Sequence, residues 1–185
     1  MEREHIATRM ASTGQEGDMV IILMGVTASG KTTVGRRLAA VLGYQFYDAD
    51  DFHPRANLDK MRRGIPLDDA DRLPWLETLR DLVRHCLAEH TNAVLACSAL
   101  KEAYRQYLLV DPQVRLVYLQ ADQELIRQRL QQRQGHFMNP ELLKSQFATL
   151  EEPQQGIWVD ASLAPEEIVS AIRHQLGGDV PLADV

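Results

Sequence analysis

Gly25-Val26-Thr27-Ala28-Ser29-Gly30-Lys31-Thr32 fits the pattern G-x-x-x-x-G-K-[ST] at every fixed position. Each residue type has a physical reason in such a loop. Gly25 and Gly30 let the backbone curl until its N–H groups face inward at phosphate oxygens. A helix starting at Lys31 adds a partial positive charge at its N-terminus. Lys31 can reach the outer phosphates, and the Thr32 hydroxyl can hold a divalent cation. A plain glycine turn leading into a helix is the alternative. The flanks disfavour it, because an apolar run precedes the motif and an amphipathic pattern comes after it.

Outward from that loop, Val20-Ile21-Ile22-Leu23-Met24 is a continuous apolar run, as expected of a strand buried on both faces of a parallel sheet. Residues 31–42 place Val34, Leu38 and Val41 at helical spacing, with Gly43 as the stop signal. Further strands are predicted at Gln45–Asp48, Ala93–Cys97, Val114–Leu119 and Ile157–Val159. Helices are predicted from Trp75 to about Glu89, from an Asp122 cap to about Arg133, and from Pro165 to the stop at Gly177-Gly178. Alternating strands and helices imply an α/β fold with a parallel sheet covered on both faces. Two polar segments, about 51–74 and about 134–154, escape the alternation. Long segments of that kind are where function is sought.

The whole-chain properties bound the answer. A chain of 185 residues suits one domain. The net charge of −6 argues against a nucleic-acid surface, although a local cluster of Lys and Arg can still receive a small anion. Two cysteines, Cys86 and Cys97, make no disulfide framework, and Cys97 reads as a small core residue. No apolar run approaches the roughly 20 residues of a membrane span, so no membrane partner is expected. The first 18 residues mix acids and bases without an apolar centre, which predicts a flexible tail rather than a secretory signal, and a cytoplasmic protein.

The loop alone shows nucleotide binding, not the reaction. No N/T-K-x-D or D-x-x-G element marks a GTPase, and the chain is short for a motor, which leaves a small-molecule kinase. The strand ending at Ser98 carries no acid to support magnesium. Asp48-Ala49-Asp50-Asp51 after the second strand offers replacements. In an extended stretch Asp48 and Asp50 point to one side. Asp48 is assigned to Mg²⁺ with Thr32, and Asp50 to the substrate hydroxyl as proton acceptor or orienting group. Asp51 is expected to cap the next element. A solvated acidic turn is the plain alternative.

The loop, together with Asp48-Ala49-Asp50-Asp51-Phe52-His53-Pro54, Asn57, Lys60-Met61, Gly64 to Leu76, Ala96 to Lys101, Tyr104-Arg105, Gly135-His136-Phe137, Ser145-Gln146-Phe147, Thr149-Leu150-Glu151 and Pro153, resembles the gluconokinases of the small P-loop type, from about residue 20 to about 176. The resemblance implies a fold like the nucleoside monophosphate kinases: a five-stranded parallel sheet with helices on both faces and a mobile lid. It implies transfer of the γ-phosphate of ATP, with Mg²⁺, to the 6-hydroxyl of D-gluconate. It also allows a homodimer. The implied organisation is a tail over 1–18, a kinase domain over 19–177 with a substrate segment at about 51–74 and a lid at about 130–154, and a C-terminal tail over 178–185. A shikimate or nucleoside kinase would use the same core, and a nucleotide-binding regulatory protein is the alternative from another class.

On this reading Gly25, Val26, Thr27, Ala28, Ser29, Gly30, Lys31, Thr32 and Thr33 hold the nucleotide. Asp50, His53, Arg72, Lys101 and Arg105 face the sugar acid, which needs a fixed cation and several hydrogen-bonding groups. Arg72 could instead pair with Asp68 or Asp69, Lys101 and Arg105 could decorate one helix face, and Trp75 is expected to pack. Lys31 and Asp50 are assigned to catalysis. By resemblance, Arg129 and Arg133 join them from the lid, with Gly135 as a joint, while Arg127 is an open case. His136 and Gln146 are equally explained by packing or hydrogen bonding inside the lid. Adenine is expected near Asp160 and Ala161.

Overall fold

A computed structural model describes residues 18–132 and 140–177. Five strands, β1 (Val20–Met24), β2 (Gln45–Asp48), β3 (Ala93–Ala96), β4 (Val114–Gln120) and β5 (Ile157–Asp160), form one sheet in the order β2-β3-β1-β4-β5. Every pairing is parallel. The central strand β1 has no residue more than 1% exposed, which is why its sequence is continuous rather than alternating.

Side chains of β1 still alternate, but between two cores. Val20, Ile22 and Met24 join Trp75, Leu76, Leu79 and Val83 of α3 (Asp69–Ala88) on one face. Ile21 and Leu23 join Val34 and Leu38 of α1 (Lys31–Leu42), with Ile168 and Ile172 of α7 (Pro165–Gly177), on the other. Each fully buried aliphatic side chain contributes about 1.5–3 kcal/mol, so the loop leaving β1 is anchored in the best-buried part of the molecule. Gly35 lets α1 lie close on β2: a Cβ there would come 2.7 Å from the Phe46 ring.

Several elements differ from expectation. Helix α3 begins at Asp69, six residues before Trp75. Asp68 accepts from the Asp71 N–H (2.8 Å) and Asp71 accepts from the Asp68 N–H (3.1 Å), a capping box that starts the helix ahead of Pro74. The segment 51–74 also holds a 3₁₀ turn (Ala49–Phe52) and α2 (Arg55–Arg62). Asp51 caps neither. Asp48 caps the 3₁₀ turn through the Asp50 N–H (3.2 Å), and α2 starts after Pro54 with no side-chain cap. Helix α4 (Glu102–Leu108) supplies the helix face allowed for Lys101 and Arg105, and α6 (Pro140–Thr149) was not expected. Helix α5 (Gln123–Gln132) starts as expected, with the Leu125 N–H donating to Asp122 at 2.7 Å. The expectations for both tails and for Arg133, Gly135, His136 and Phe137 concern residues outside the described set. Among the described residues no helix is long and apolar enough to cross a membrane.

Candidate active site

The carboxyl ends of β1, β2 and β3 open into one cleft of about 1000 Å³, where an open parallel sheet binds ligands. One end of it is the phosphate loop. Gly25 (φ 153°) and Gly30 (φ 104°) adopt positive φ, and a Cβ on Gly25 would lie 2.7 Å from Ser29 Oγ. Ala28 takes a positive φ of 56° despite its side chain, a strained conformation of the kind found at ligand-binding loops. Lys31 Nζ folds back to donate to the Val26 carbonyl at 2.8 Å. The Thr32 hydroxyl donates to Asp48 Oδ2 at 2.8 Å, which brings together the hydroxyl and the carboxylate that the sequence assigns to magnesium.

Two side chains from α5 and α6 brace this loop. Arg129 donates from Nη1 to the Ser29 and Ala28 carbonyls (3.0 and 3.3 Å) and from Nη2 to the Ala161 carbonyl at 2.5 Å. It thereby ties α5, the loop and the turn after β5 together. The Thr27 N–H donates to Gln146 Oε1 at 2.7 Å. Gln146 therefore bonds to the phosphate loop rather than within the lid.

Asp50 lies beside this end on the 3₁₀ turn, not on an extended strand, so the alternation argument for it fails even though Asp48 and Asp50 both line the cleft. Its side chain is 77% exposed to the open cleft, but the wall around it is concave. Desolvation there, and then the charge of Asp48, push its carboxyl above the ordinary range, while Lys31 and His53 oppose the shift. His53 Nε2 is 3.9 Å from Asp50 Oδ1. Its ring stacks on Trp75 at 4.5 Å, and the Trp75 indole N–H donates to the Ala49 carbonyl at 2.7 Å. Burial lowers the His53 pKa, and nearby Arg72 adds to this against the pull of Asp50. A neutral imidazole suits a hydroxyl partner better than a carboxylate.

The other end of the cleft is built from side chains. Lys101 Nζ donates to both oxygens of Asp69, each at 2.8 Å. The Tyr104 hydroxyl donates to Asp69 Oδ1. Arg72 donates to the Tyr104 oxygen at 3.3 Å and approaches Asp69 Oδ1 at 4.0 Å. Of the two partners open to Arg72 in the sequence, Asp69 is the one it approaches. Below this group Lys60 holds Asp71 at 2.6 and 2.7 Å, and Asn57 donates to the Asp71 carbonyl at 2.8 Å.

Arg105 leaves the substrate set. It is 1% exposed, donates from Nε and Nη2 to Glu102 (3.0 and 2.6 Å), and donates from Nη1 to the Ala99 and Leu100 carbonyls (3.0 and 3.2 Å). Its position four residues after Lys101 puts both on α4 or its cap, but this guanidinium spends four of its five N–H donors on Glu102 and the β3–α4 turn and is buried away from the cleft lining. Cys97 is a core thiol, pushed up to about 12 by burial.

Lys31, Thr32, Asp48, Asp50, His53, Arg72 and Lys101 thus line one cleft. Ser98, Asp69, Tyr104 and Gln146 line it too, although sequence reasoning assigned none of them a ligand role. Asp69 was hidden as one of the acids in Asp68-Asp69-Ala70-Asp71, any of which could equally be a helix cap.

Comparison with known proteins agrees with this geometry. A family model described as an AAA domain matches residues 20–153. The "Probable gluconokinase" of Mus musculus is 43% identical over 182 residues, 87% of this chain and 99% of that protein. The chain belongs to the gluconokinase family. The "Thermosensitive gluconokinase" of Escherichia coli is 50% identical over 134 residues, 72% of each chain. The crystal structure of a gluconokinase from Sinorhizobium meliloti superposes with a TM-score of 0.78 at 37% identity, over 88% of this chain and 92% of that one. The five-stranded parallel P-loop kinase fold expected of this family is the fold observed.

Proposed function

We propose that this gluconokinase family member transfers the γ-phosphoryl group of ATP to the 6-hydroxyl of D-gluconate, giving 6-phosphogluconate and ADP. The observation that carries the reading is that one cleft joins the phosphate loop, a carboxylate and a cationic cluster: Lys31 at one end, Arg72 and Lys101 at the other, and Asp50 between them. A sugar acid has its carboxylate and its 6-hydroxyl at opposite ends, so a cleft with cations at one end and the phosphate loop at the other orients it for transfer.

In the reaction the 6-oxygen forms a bond to the γ-phosphorus as the bond from that phosphorus to the β,γ-bridging oxygen breaks. Asp50 takes the proton of the attacking hydroxyl, or orients it until the proton leaves. Lys31 and the loop N–H groups stabilise charge gathering on the transferred group and on the departing ADP. Arg129, already against the loop, holds it in shape through the Ala28 and Ser29 carbonyls. Thr32 and Asp48 present a hydroxyl and a carboxylate to the cleft and fit a magnesium ion; bound with the nucleotide, it would neutralise phosphate charge. Free Cys86 and Cys97, both buried, suit the reducing cytoplasm.

The test is ADP release from Mg-ATP with gluconate, idonate, shikimate, glycerate and nucleosides in turn. Gluconate-dependent release with 6-phosphogluconate as product is expected. Release with another acceptor overturns the substrate. No acceptor-dependent release from protein that binds ATP moves the reading to a nucleotide-binding regulatory protein.

A further inference from the structure

Two donors and a nearby guanidinium surround a carboxylate that belongs to the protein itself. Lys101, the cap residue of α4, bonds both oxygens of Asp69, and Tyr104 of α4 donates to Oδ1. Arg72 of α3 comes to 4.0 Å of the same oxygen and lies over the Tyr104 ring at 5.6 Å. Bidentate contact with a cation, a hydroxyl and a nearby guanidinium is what a bound carboxylate needs.

Asp69 is a first-turn acid of α3 but does not cap it. The capping box of α3 is made by Asp68 and Asp71, its neighbours. The Asp69 side chain is 65% exposed on the cleft side, while Lys101 and Arg72 are 30% and 28% exposed. The aspartate can therefore swing into solvent without disturbing the core, whereas its partners are held in the wall. Arg72 and Lys101 both face Asp69, so displacing its carboxylate leaves two cations to receive an anion in its place. Asp69 takes the single Tyr104 O–H and two of the three Lys101 donors, so an arriving carboxylate gains the full set only when Asp69 leaves.

We propose that Asp69 is an internal occupant of the acceptor-carboxylate site, holding Lys101, Tyr104 and Arg72 in the arrangement that the sugar-acid carboxylate takes over, and so setting the affinity for the acceptor. This rests on the proposed sugar-acid kinase function and adds a specific role within it. Asp69 is a positioning residue that acts through Lys101 and Tyr104. The Lys101 hydrogen bond and then the Tyr104 hydroxyl hold its carboxyl below the ordinary range, so it competes as an anion throughout the working pH range. A site whose competent form is only part of the population binds more weakly by that fraction.

The experiment is Asp69→Asn, with kcat and KM measured for gluconate at saturating Mg-ATP. The amide keeps the size and removes the charge. A fall in the gluconate KM of roughly two- to five-fold is expected, the range that a half-exposed ion pair allows, with kcat within about two-fold and the ATP KM unchanged. A brace lost from the fold would instead raise KM or lower kcat. Asp69→Ser, which also lacks the charge, moves KM in the same direction. In a Lys101→Ala background the gain from Asp69→Asn shrinks, because the pair no longer exists to be broken. An unchanged or raised gluconate KM in both Asp69 variants, with the wild type active on gluconate, overturns the inference alone. A wild type that does not phosphorylate gluconate overturns the acceptor assignment, and this inference with it.

Discussion

The two ends of the cleft are made differently. At the phosphate loop the ligand-facing groups are largely backbone, set by positive φ at Gly25 and Gly30 and anchored to a strand that is at most 1% exposed. Its carbonyls are braced from behind by Arg129. At the acceptor end the groups are side chains on α3 and α4, and they satisfy one another: Lys101 and Tyr104 hold Asp69, and Lys60 holds Asp71. A preformed backbone cradle stabilises a transition state without reorganising. A network of exposed ion pairs must exchange partners when ligand arrives, and exposed pairs are individually weak. Changes at the first end should therefore appear in kcat, and changes at the second in KM for the acceptor.

The largest expected effect is at Lys31. Lys31→Ala should lower kcat by about 10²–10³-fold, the cost of removing one preorganised donor to developing charge, with an unchanged far-UV circular dichroism spectrum. A loss confined to the ATP KM would mean that the loop binds without stabilising the transition state, and the contrast between the two ends would fail.

Asp50 stands between them, and its substitution sharpens the boundary. Asp50→Asn should lower kcat by about 10²-fold or more, while ATP binding followed by calorimetry is retained. Near-wild-type turnover would remove Asp50 from the mechanism. Only the ionised carboxylate accepts a proton, and in the folded protein desolvation by the cleft walls and then the charge of Asp48 hold its pKa above the ordinary aspartate range. The acid limb of kcat against pH should therefore lie above that range and vanish in Asp50→Asn. The same shift has a sign for stability. A carboxyl with a raised folded pKa costs nothing below its unfolded pKa and destabilises the fold once pH rises through the folded value. Asp50→Asn should thus unfold at slightly higher denaturant concentration than wild type near neutrality, and at the same concentration below the ordinary aspartate range. The gain should be small, since cleft water screens the group.

The difference between the ends also explains what could be read from sequence. A backbone cradle needs particular residues at fixed spacing, so Gly25 to Thr32, the strand before it and the helix after it were legible, as was the succession of five strands along the chain. The acceptor end is assembled from α3 and α4 by tertiary packing. Lys101 and Arg105 look alike in sequence, yet one lines the cleft and the other is buried under Glu102. The charge pattern does not separate them: Lys101 caps α4 beside Asp69, whereas Arg105 turns back to Glu102 and to the Ala99 and Leu100 carbonyls. Asp68, Asp69 and Asp71 pose the same problem: Asp68 and Asp71 form the capping box, and Asp69 is the one held by Lys101 and Tyr104 in the cleft wall. The start of α3 was missed because the capping box lies ahead of Pro74, and a proline just before an apolar run reads as its boundary.

Arg72 probes the acceptor end directly. It bonds a tyrosine hydroxyl and only approaches Asp69, so its guanidinium keeps donors for a ligand. Arg72→Ala should raise the gluconate KM by about tenfold, the equivalent of one charge-assisted hydrogen bond, and leave the ATP KM within about two-fold. Equal increases in both would show that the two ends do not separate the substrates.

The smallest effect expected is at Gln146, one of the two distant side chains that brace the phosphate loop. Gln146 on α6 accepts from the Thr27 N–H at 2.7 Å, across 119 residues of sequence. If the loop amides turn to phosphate when nucleotide binds, this N–H changes partner, and Gln146 competes with ATP as Asp69 competes with the sugar acid. A single half-exposed hydrogen bond is worth about 0.5 kcal/mol at the low end of its range, so Gln146→Ala should lower the ATP KM by about two-fold without changing the gluconate KM. A rise in the ATP KM would mean that Gln146 supports the nucleotide instead of standing in for it. The phosphate loop would then be as preformed as the rest of its geometry suggests, and exchange of internal partners would be confined to the acceptor end.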